Sequence, residues 1–228
     1  KGDMNVTVVD KNGKPVKGAT VDVNMYEHEY KFGVAYNSWR LREGEVGEKY
    51  RAMITENYNS AVAAETLKWN PYETLGFDYA ESQFKTLQNL GIRSFRGHTI
   101  LWDMHPEEEF ATYVIPDRMW DLINDRDAYE AEVKEHIFKI ITDCKDYVKD
   151  WDVLNESVEQ HYAQDAFGYE IVNEWYDWAR EAAEDGVELY YNDFLITHEL
   201  FERLDLFKEQ GVDYDGIGCQ SHISGYLR

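Results

Sequence analysis

Glu156 ends the run Trp151-Asp152-Val153-Leu154-Asn155-Glu156, where a strand-like apolar stretch delivers an amide and a carboxyl side by side. That pairing suits cleavage of a glycosidic bond. A carboxylic acid must protonate the departing oxygen, and a polar neighbour must grip the sugar hydroxyls. A carboxylate simply solvated in a loop accounts for the same six residues. Company tilts the balance: Asn37, Glu65 with Lys68, His98, Asn192 with Asp193, and Gln220 with His222 also follow short apolar runs.

Those runs predict strands at 32–35, 60–64, 94–96, 151–154, 188–191 and 216–218. Between them, apolar residues recur at three- and four-residue spacing, which predicts amphipathic helices. The stripes are Val133, Ile137, Ile140, Ile141, Cys144 and Val148; Phe84, Leu87 and Leu90; Ile171, Trp175, Trp178 and Ala182; and Leu200, Phe201, Leu204 and Phe207. Alternating strands and helices imply a parallel sheet. No Gly-x-Gly-x-x-Gly follows any strand, which weighs against a nucleotide-binding doubly wound sheet. A doubly wound sheet also gathers polar side chains only near its switch point. In a (β/α)8 barrel every strand opens onto one face, so all of these residues converge. The expectation is therefore a (β/α)8 barrel with about six of its eight units in residues 29–228. The last units are expected downstream or from a second polypeptide, since an open piece leaves unpaired sheet edges. Residues 1–28 read as a small β-hairpin: Val6 and Val8, then Val21, Val23 and Met25, flank the turn sequence Lys11-Asn12-Gly13-Lys14-Pro15.

Composition narrows the partners. At 228 residues one sizeable core is possible. A net charge of −22 disfavours nucleic acid, which needs clustered cations, but leaves neutral polymers unopposed. The 7 Trp and 17 Tyr suit stacking on sugar rings, although an aromatic-rich core also uses them. Cys144 and Cys219 are the only cysteines, so neither a disulfide framework nor a cysteine zinc site is expected. No apolar stretch is long enough for a membrane span. No signal pattern follows Lys1, so the sequence reads as a mature or trimmed chain.

The run 151–156 resembles the acid/base motif of glycoside hydrolase family 10, the barrel endo-1,4-β-xylanases, and four further stretches agree in order. Glu65-Thr66-Leu67-Lys68-Trp69 is similar to the family's Glu-Asn-x-x-Lys-Trp, and Arg96-Gly97-His98-Thr99-Ile100-Leu101-Trp102 to its Arg-Gly-His-x-x-x-Trp. Tyr191-Asn192-Asp193-Phe194 resembles Tyr-Asn-Asp-Tyr, and Asp215–His222 resembles the Gly-x-Gly-x-Gln-x-His stretch. The resemblance runs from about Tyr30 to His222. It implies that Glu156 is the general acid and base and that Asn155 holds a 2-hydroxyl. His98, Trp102 and Lys68 would line the glycone side, with Glu65 one sugar further out. Gln220 and His222 would contact the nucleophile, and Phe194 would stand where the family has a substrate-facing Tyr. The substrate implied is xylan or xylo-oligosaccharide, with no cofactor or metal, in a secreted or cell-surface protein.

Departures from the pattern touch subsites and one catalytic group. Thr66 replaces Asn, Phe194 replaces Tyr, and Asp103 follows Trp102 where many members have His, although plant-type members often carry an acidic residue there. The family's nucleophile, a Glu after the seventh strand, has no counterpart in 222–228. Three rivals remain. A metal hydrolase could use His98, Asp103, His105 and His222, though no His-x-His or His-x-x-x-His pair occurs. A sugar-binding barrel without turnover would fit the missing nucleophile, and a related barrel β-glucanase shares the Asn-Glu pair.

Overall fold

The computed structural model describes residues 4–25, 28–194 and 196–221. The chain divides into two compact units, Lys1–Tyr30 and Lys31–Arg228.

In the first unit the expected hairpin is present only as its turn. Asp10 N–H donates to the Lys14 carbonyl at 2.8 Å, Val16 N–H to that of Val8 at 2.9 Å, and Val9 bridges Pro15 antiparallel. The Asp10 carboxylate accepts the N–H groups of Asn12 and Lys14, and Gly13 supplies the positive φ the turn requires. The alternating run 21–25 forms no strand among the described residues. Alternation alone does not make a strand where nothing pairs with it.

The second unit is one parallel sheet in the order β1-β2-β3-β4-β5-β6. Its strands are β1 (Gly33–Tyr36), β2 (Ser60–Ala63), β3 (Ser94–Leu101), β4 (Val148–Asn155), β5 (Glu188–Asp193) and β6 (Gly216–Cys219). The helices described between them are α1 (Glu45–Asn57), α2 (Trp69–Leu75), α3 (Phe77–Asn89), α4 (Ala111–Val114), α5 (Arg118–Asp121), α6 (Arg126–Cys144), α7 (Tyr162–Phe167), α8 (Ile171–Ala182) and α9 (His198–Gln210). All six expected strands exist. The register pairs Tyr36 with Ala63, Leu101 with Leu154, Asn155 with Asn192 and Asp193 with Cys219, which brings every C-terminal end to one side.

Strands β3 and β4 are longer than the sequence suggests, so His98 and Asn155 lie within strands rather than after them. Gly97 makes their approach possible. A Cβ there would sit 2.0 Å from the Trp151 ring, which is fully buried.

The apolar stripes bury as helices must, with three shifts, the first being Val148, which opens β4 rather than continuing the stripe of α6. Helix α6 sinks Tyr129, Val133, His136, Ile137, Ile140, Ile141 and Cys144, and its Asp125 cap accepts from Ala128 N–H at 3.2 Å. Helix α8 buries Ile171, Val172, Trp175, Tyr176 and Ala179, leaving the expected Trp178 and Ala182 at the margin of that face. On α9, Leu200 and Phe207 are buried, whereas Phe201 lies about 100° further round the helix and is 54% exposed. No described helix is long and apolar enough to cross a membrane.

Candidate active site

The backbone aims Glu156 before any side-chain contact does. Strand β4 ends at Asn155, and Glu156 takes φ +56°, a left-handed conformation that only costs a non-glycine residue. Three hydrogen bonds hold it there. Its N–H donates to the Asn192 carbonyl at 2.8 Å, and its own carbonyl accepts the N–H groups of Glu159 at 3.1 Å and Gln160 at 2.8 Å. The chain thus leaves the strand sharply and turns the carboxyl over the sheet's end.

Asn155 is fully buried beside it. Its Oδ1 accepts from Asn192 Nδ2 at 2.6 Å and from Gln220 Nε2 at 3.4 Å, which fixes the orientation of the amide. Its Nδ2 has no hydrogen-bond partner among the described residues, and neither has the buried Nε1 of Trp102. Buried orphan donors are rare, and two on one face mark a place where an acceptor such as a sugar hydroxyl belongs.

Gln220 Nε2 also donates to Glu156 Oε1 at 2.6 Å. The family pattern would aim Gln220 at a nucleophile; in this structure the amide grips the acid and its neighbour. His222 lies outside the described residues.

Of the residues expected on the glycone side, Glu65 and Lys68 follow β2, His98 lies within β3 and Trp102 comes directly after it. Lys68 Nζ lies 5.1 Å from the centre of the Trp102 ring. Burial lowers its pKa, while the negative fields of Glu65 and Glu156 oppose that shift. Both carboxyls therefore act on the charge of the same ammonium. His98 Nδ1 meets Asp152 Oδ2 at 2.9 Å, and the His98 and Trp102 rings meet edge to face at 6.2 Å. With the proton on Nδ1 facing that carboxylate, Nε2 is left as an acceptor. Arg96 grips the other oxygen of Asp152 through Nε at 3.0 Å and through Nη2.

The remaining carboxylates of this face are committed to the protein. Asp103 is buried and accepts Ala163 N–H at 2.8 Å and both nitrogens of Gln164 at 3.1 Å, tying the loop after β3 to α7. It was expected beside the site, and instead it is a strut. Asp193 accepts Phe194 N–H at 2.8 Å, the Tyr191 hydroxyl and Val158 N–H at 3.4 Å. Phe194 is half-buried and lines a cleft of 200 Å³ with Val158, Glu159, Asp193, Thr197 and Glu199. Among the described residues no three His, Cys, Asp or Glu side chains gather as metal ligands.

Set against known proteins, residues 23–226 match the glycosyl hydrolase family 10 profile. The chain belongs to glycosyl hydrolase family 10. Two of its relatives are the endo-1,4-beta-xylanase/feruloyl esterase of Xylanibacter ruminicola and the anti-sigma-I factor RsgI6 of Acetivibrio thermocellus. The first is 26% identical over 89% of this chain and 30% of its own length. The second is 24% identical over 98% of this chain and 28% of its own. The solved xylanase B of Clostridium stercorarium F9 superposes with a TM-score of 0.67 at 21% identity, covering 87% of this chain and 64% of that one. The family 10 chain thus spans less than two thirds of each, and its sheet is part of their (β/α)8 barrel. The matched span 23–226 includes Glu65, Lys68, His98, Trp102, Asn155, Glu156 and Gln220.

Two buried groups next to the rim give this family 10 chain opposing pH responses. His136 stacks on Trp69 at 4.3 Å with its Nε2 3.1 Å from the Ile100 carbonyl, and burial lowers its pKa from 6.5 to about 3. The native state holds it neutral, so the stability it lends is full above 6.5 and falls as pH drops through about 3. Burial raises Asp103 from 3.8 to about 6. The native state holds it protonated, so its contribution is full below 3.8 and is lost as pH rises through about 6. Between roughly pH 4 and 6 the two slopes oppose, each up to about 1.4 kcal/mol per pH unit. His136→Gln removes one of them. In urea unfolding, wild type minus variant should grow by about that amount per unit across this window; a pH-independent difference would show that burial leaves His136 unshifted.

Proposed function

We propose that this chain is the acid-bearing part of a retaining endo-1,4-β-xylanase that is secreted or displayed at the cell surface. Xylan is a polymer that crosses no membrane, and its neutral backbone suits a chain of charge −22. The observation that carries the reading is the Asn155–Glu156 pair. A carboxyl is set over the rim in a strained conformation, next to a buried amide with an unused donor and close enough to act on the charge of Lys68. Asn155 Nδ2 would take the 2-hydroxyl of the sugar being cut, and Glu156 would protonate the departing oxygen and then activate water. Lys68, His98 and Trp102 would hold the glycone, with Glu65 one sugar beyond and Phe194 on the opposite side.

A retaining mechanism sets its second carboxyl about 5–5.5 Å from the first, so that one attacks the carbon whose oxygen the other protonates. Asp103 and Asp193 are already bound within the protein, and Glu65 belongs to the outer sugar. The nucleophile would therefore come from residues outside this sequence, on the same gene product or on a second polypeptide, with His222 supporting it. The test compares the 228-residue chain with the same chain supplied with the remaining barrel units, using reducing-end release from xylan and NMR of the product anomer. The expected result is negligible turnover by the chain alone and hydrolysis with retention once the units are added. Robust turnover by the chain alone would place the nucleophile within it.

A sugar-binding barrel without turnover is the second reading, favoured by the match of nearly the whole chain to a relative named an anti-sigma factor. Binding that persists while added barrel units bring no hydrolysis would select it.

A further inference from the structure

We propose that Trp39, Arg40 and Arg42 form a receptor for a single carboxylate on the substrate, a uronic acid substituent of an otherwise neutral sugar chain. The inference rests on the polysaccharide reading above and adds the class of decoration. Both guanidiniums lie over the Trp39 ring, 4.9 Å (Arg40) and 5.7 Å (Arg42) from its centre, and the ring is 50% exposed. Neither arginine makes an ion pair among the described residues; the nearby Glu45 is taken by Lys49 at 2.7 Å. In a chain with 45 acidic against 23 basic side chains, this is a local pair of cations that no described carboxylate bridges, although exposed Glu43 follows Arg42 in the chain.

The loop is built rather than loose. It follows β1 directly as a 3-10 turn, Ser38–Leu41, whose Leu41 is buried. Arg51 on α1 donates from Nη1 to the carbonyls of Leu41 and Arg42, each at 2.7 Å. Gly47 lets α1 approach, since a Cβ there would stand 1.7 Å from the Arg42 carbonyl oxygen. At the other end Asn37 N–H donates to the Tyr50 hydroxyl at 3.0 Å. A receptor held this way loses little freedom on binding.

Topology sets it beside the cleft. Tyr36 at the end of β1 pairs with Ala63 at the end of β2, and the loop after β2 carries Glu65 and Lys68. The turn therefore lies on the rim that bears Glu156, next to the outer glycone side.

Charge selects the ligand. Two guanidiniums gathered on one ring repel each other, and the ring's negative face offsets only part of that. A carboxylate beside them relieves the rest, and its geometry matches the planar fork of a guanidinium. A polyanion would meet the −22 field along its whole length. An isolated carboxylate responds to charges within a Debye length, about 8 Å at physiological salt, and there the arginine pair prevails.

The test measures calorimetric affinities of the full-length protein at physiological ionic strength. The ligands are a neutral xylo-oligosaccharide, the same oligosaccharide with one glucuronic acid, and an oligogalacturonide. The acidic xylo-oligosaccharide should bind about tenfold tighter than the neutral one, as a charge-assisted contact allows. That preference should vanish in the Arg40→Gln/Arg42→Gln double variant and near 1 M salt, with neutral affinity unchanged in the variant. Equal affinity for the neutral and acidic forms overturns this inference and leaves the xylan reading standing. If neither xylo-oligosaccharide binds, the xylan reading falls. In that case, oligogalacturonide binding that needs both arginines keeps the carboxylate receptor, and its absence overturns the receptor too.

Discussion

Glu156→Gln in the catalytically complete protein is expected to slow xylan hydrolysis by about 10²–10⁴-fold, the usual worth of general acid–base assistance, while binding survives. The amide has the size of the carboxyl and can still accept from Gln220 through its oxygen, so the 2.6 Å contact persists. Gln220 donates to Oε1, which favours the proton on Oε2, and the variant has only a weakly acidic amide there. Chemistry therefore fails where packing does not. Substrates with a very good leaving group need no protonation in the first step, so they should lose far less in that step. Measured with both substrate types, an equal loss would exclude Glu156 as the acid.

The second large effect is on stability. Asp152→Asn should cost about 3–5 kcal/mol, the range for removing one partner from a buried ion pair. Asp152 is 2% exposed and serves Arg96 on one oxygen and His98 on the other. An asparagine must turn its amino group toward one of these donors, and the Arg96 guanidinium, stacked 4.2 Å from the centre of the Tyr190 ring, loses its counter-charge. Replacing both partners by apolar residues, Arg96→Met with Asp152→Leu, should recover much of the loss, because no buried charge is then left alone. Urea unfolding of the three proteins checks this. A single variant as stable as wild type would mean that solvent screens the pair completely.

The same network shows how the site depends on register. In the sequence, Arg96, His98 and Asp152 belong to two separate motifs, each legible by itself. Their convergence depends on β3 and β4 pairing with Arg96 opposite Asp150 and His98 opposite Asp152, and on Gly97 letting Trp151 come close. A strand's own residues do not state which partner residue they will face.

What the sequence by itself determined is the local part of the protein. Short apolar runs and stripes of period 3.6 named six strands and the helices between them, because burial of a run or of one face is a property of the segment. The order of chemistry-bearing residues after those strands named the rim, the Asn155–Glu156 pair and the family. Tertiary structure decided everything that joins distant segments. It turned Asp103 away from the cleft into a strut for α7, 60 residues further along. It gave Gln220 to Glu156 across 64 residues and set two unpaired arginines on one exposed tryptophan, held by a helix that follows them. It also left Phe201 in solvent beside a buried Leu200. Each of these outcomes is a choice among partners that local propensity leaves open, and packing against the rest of the fold makes that choice.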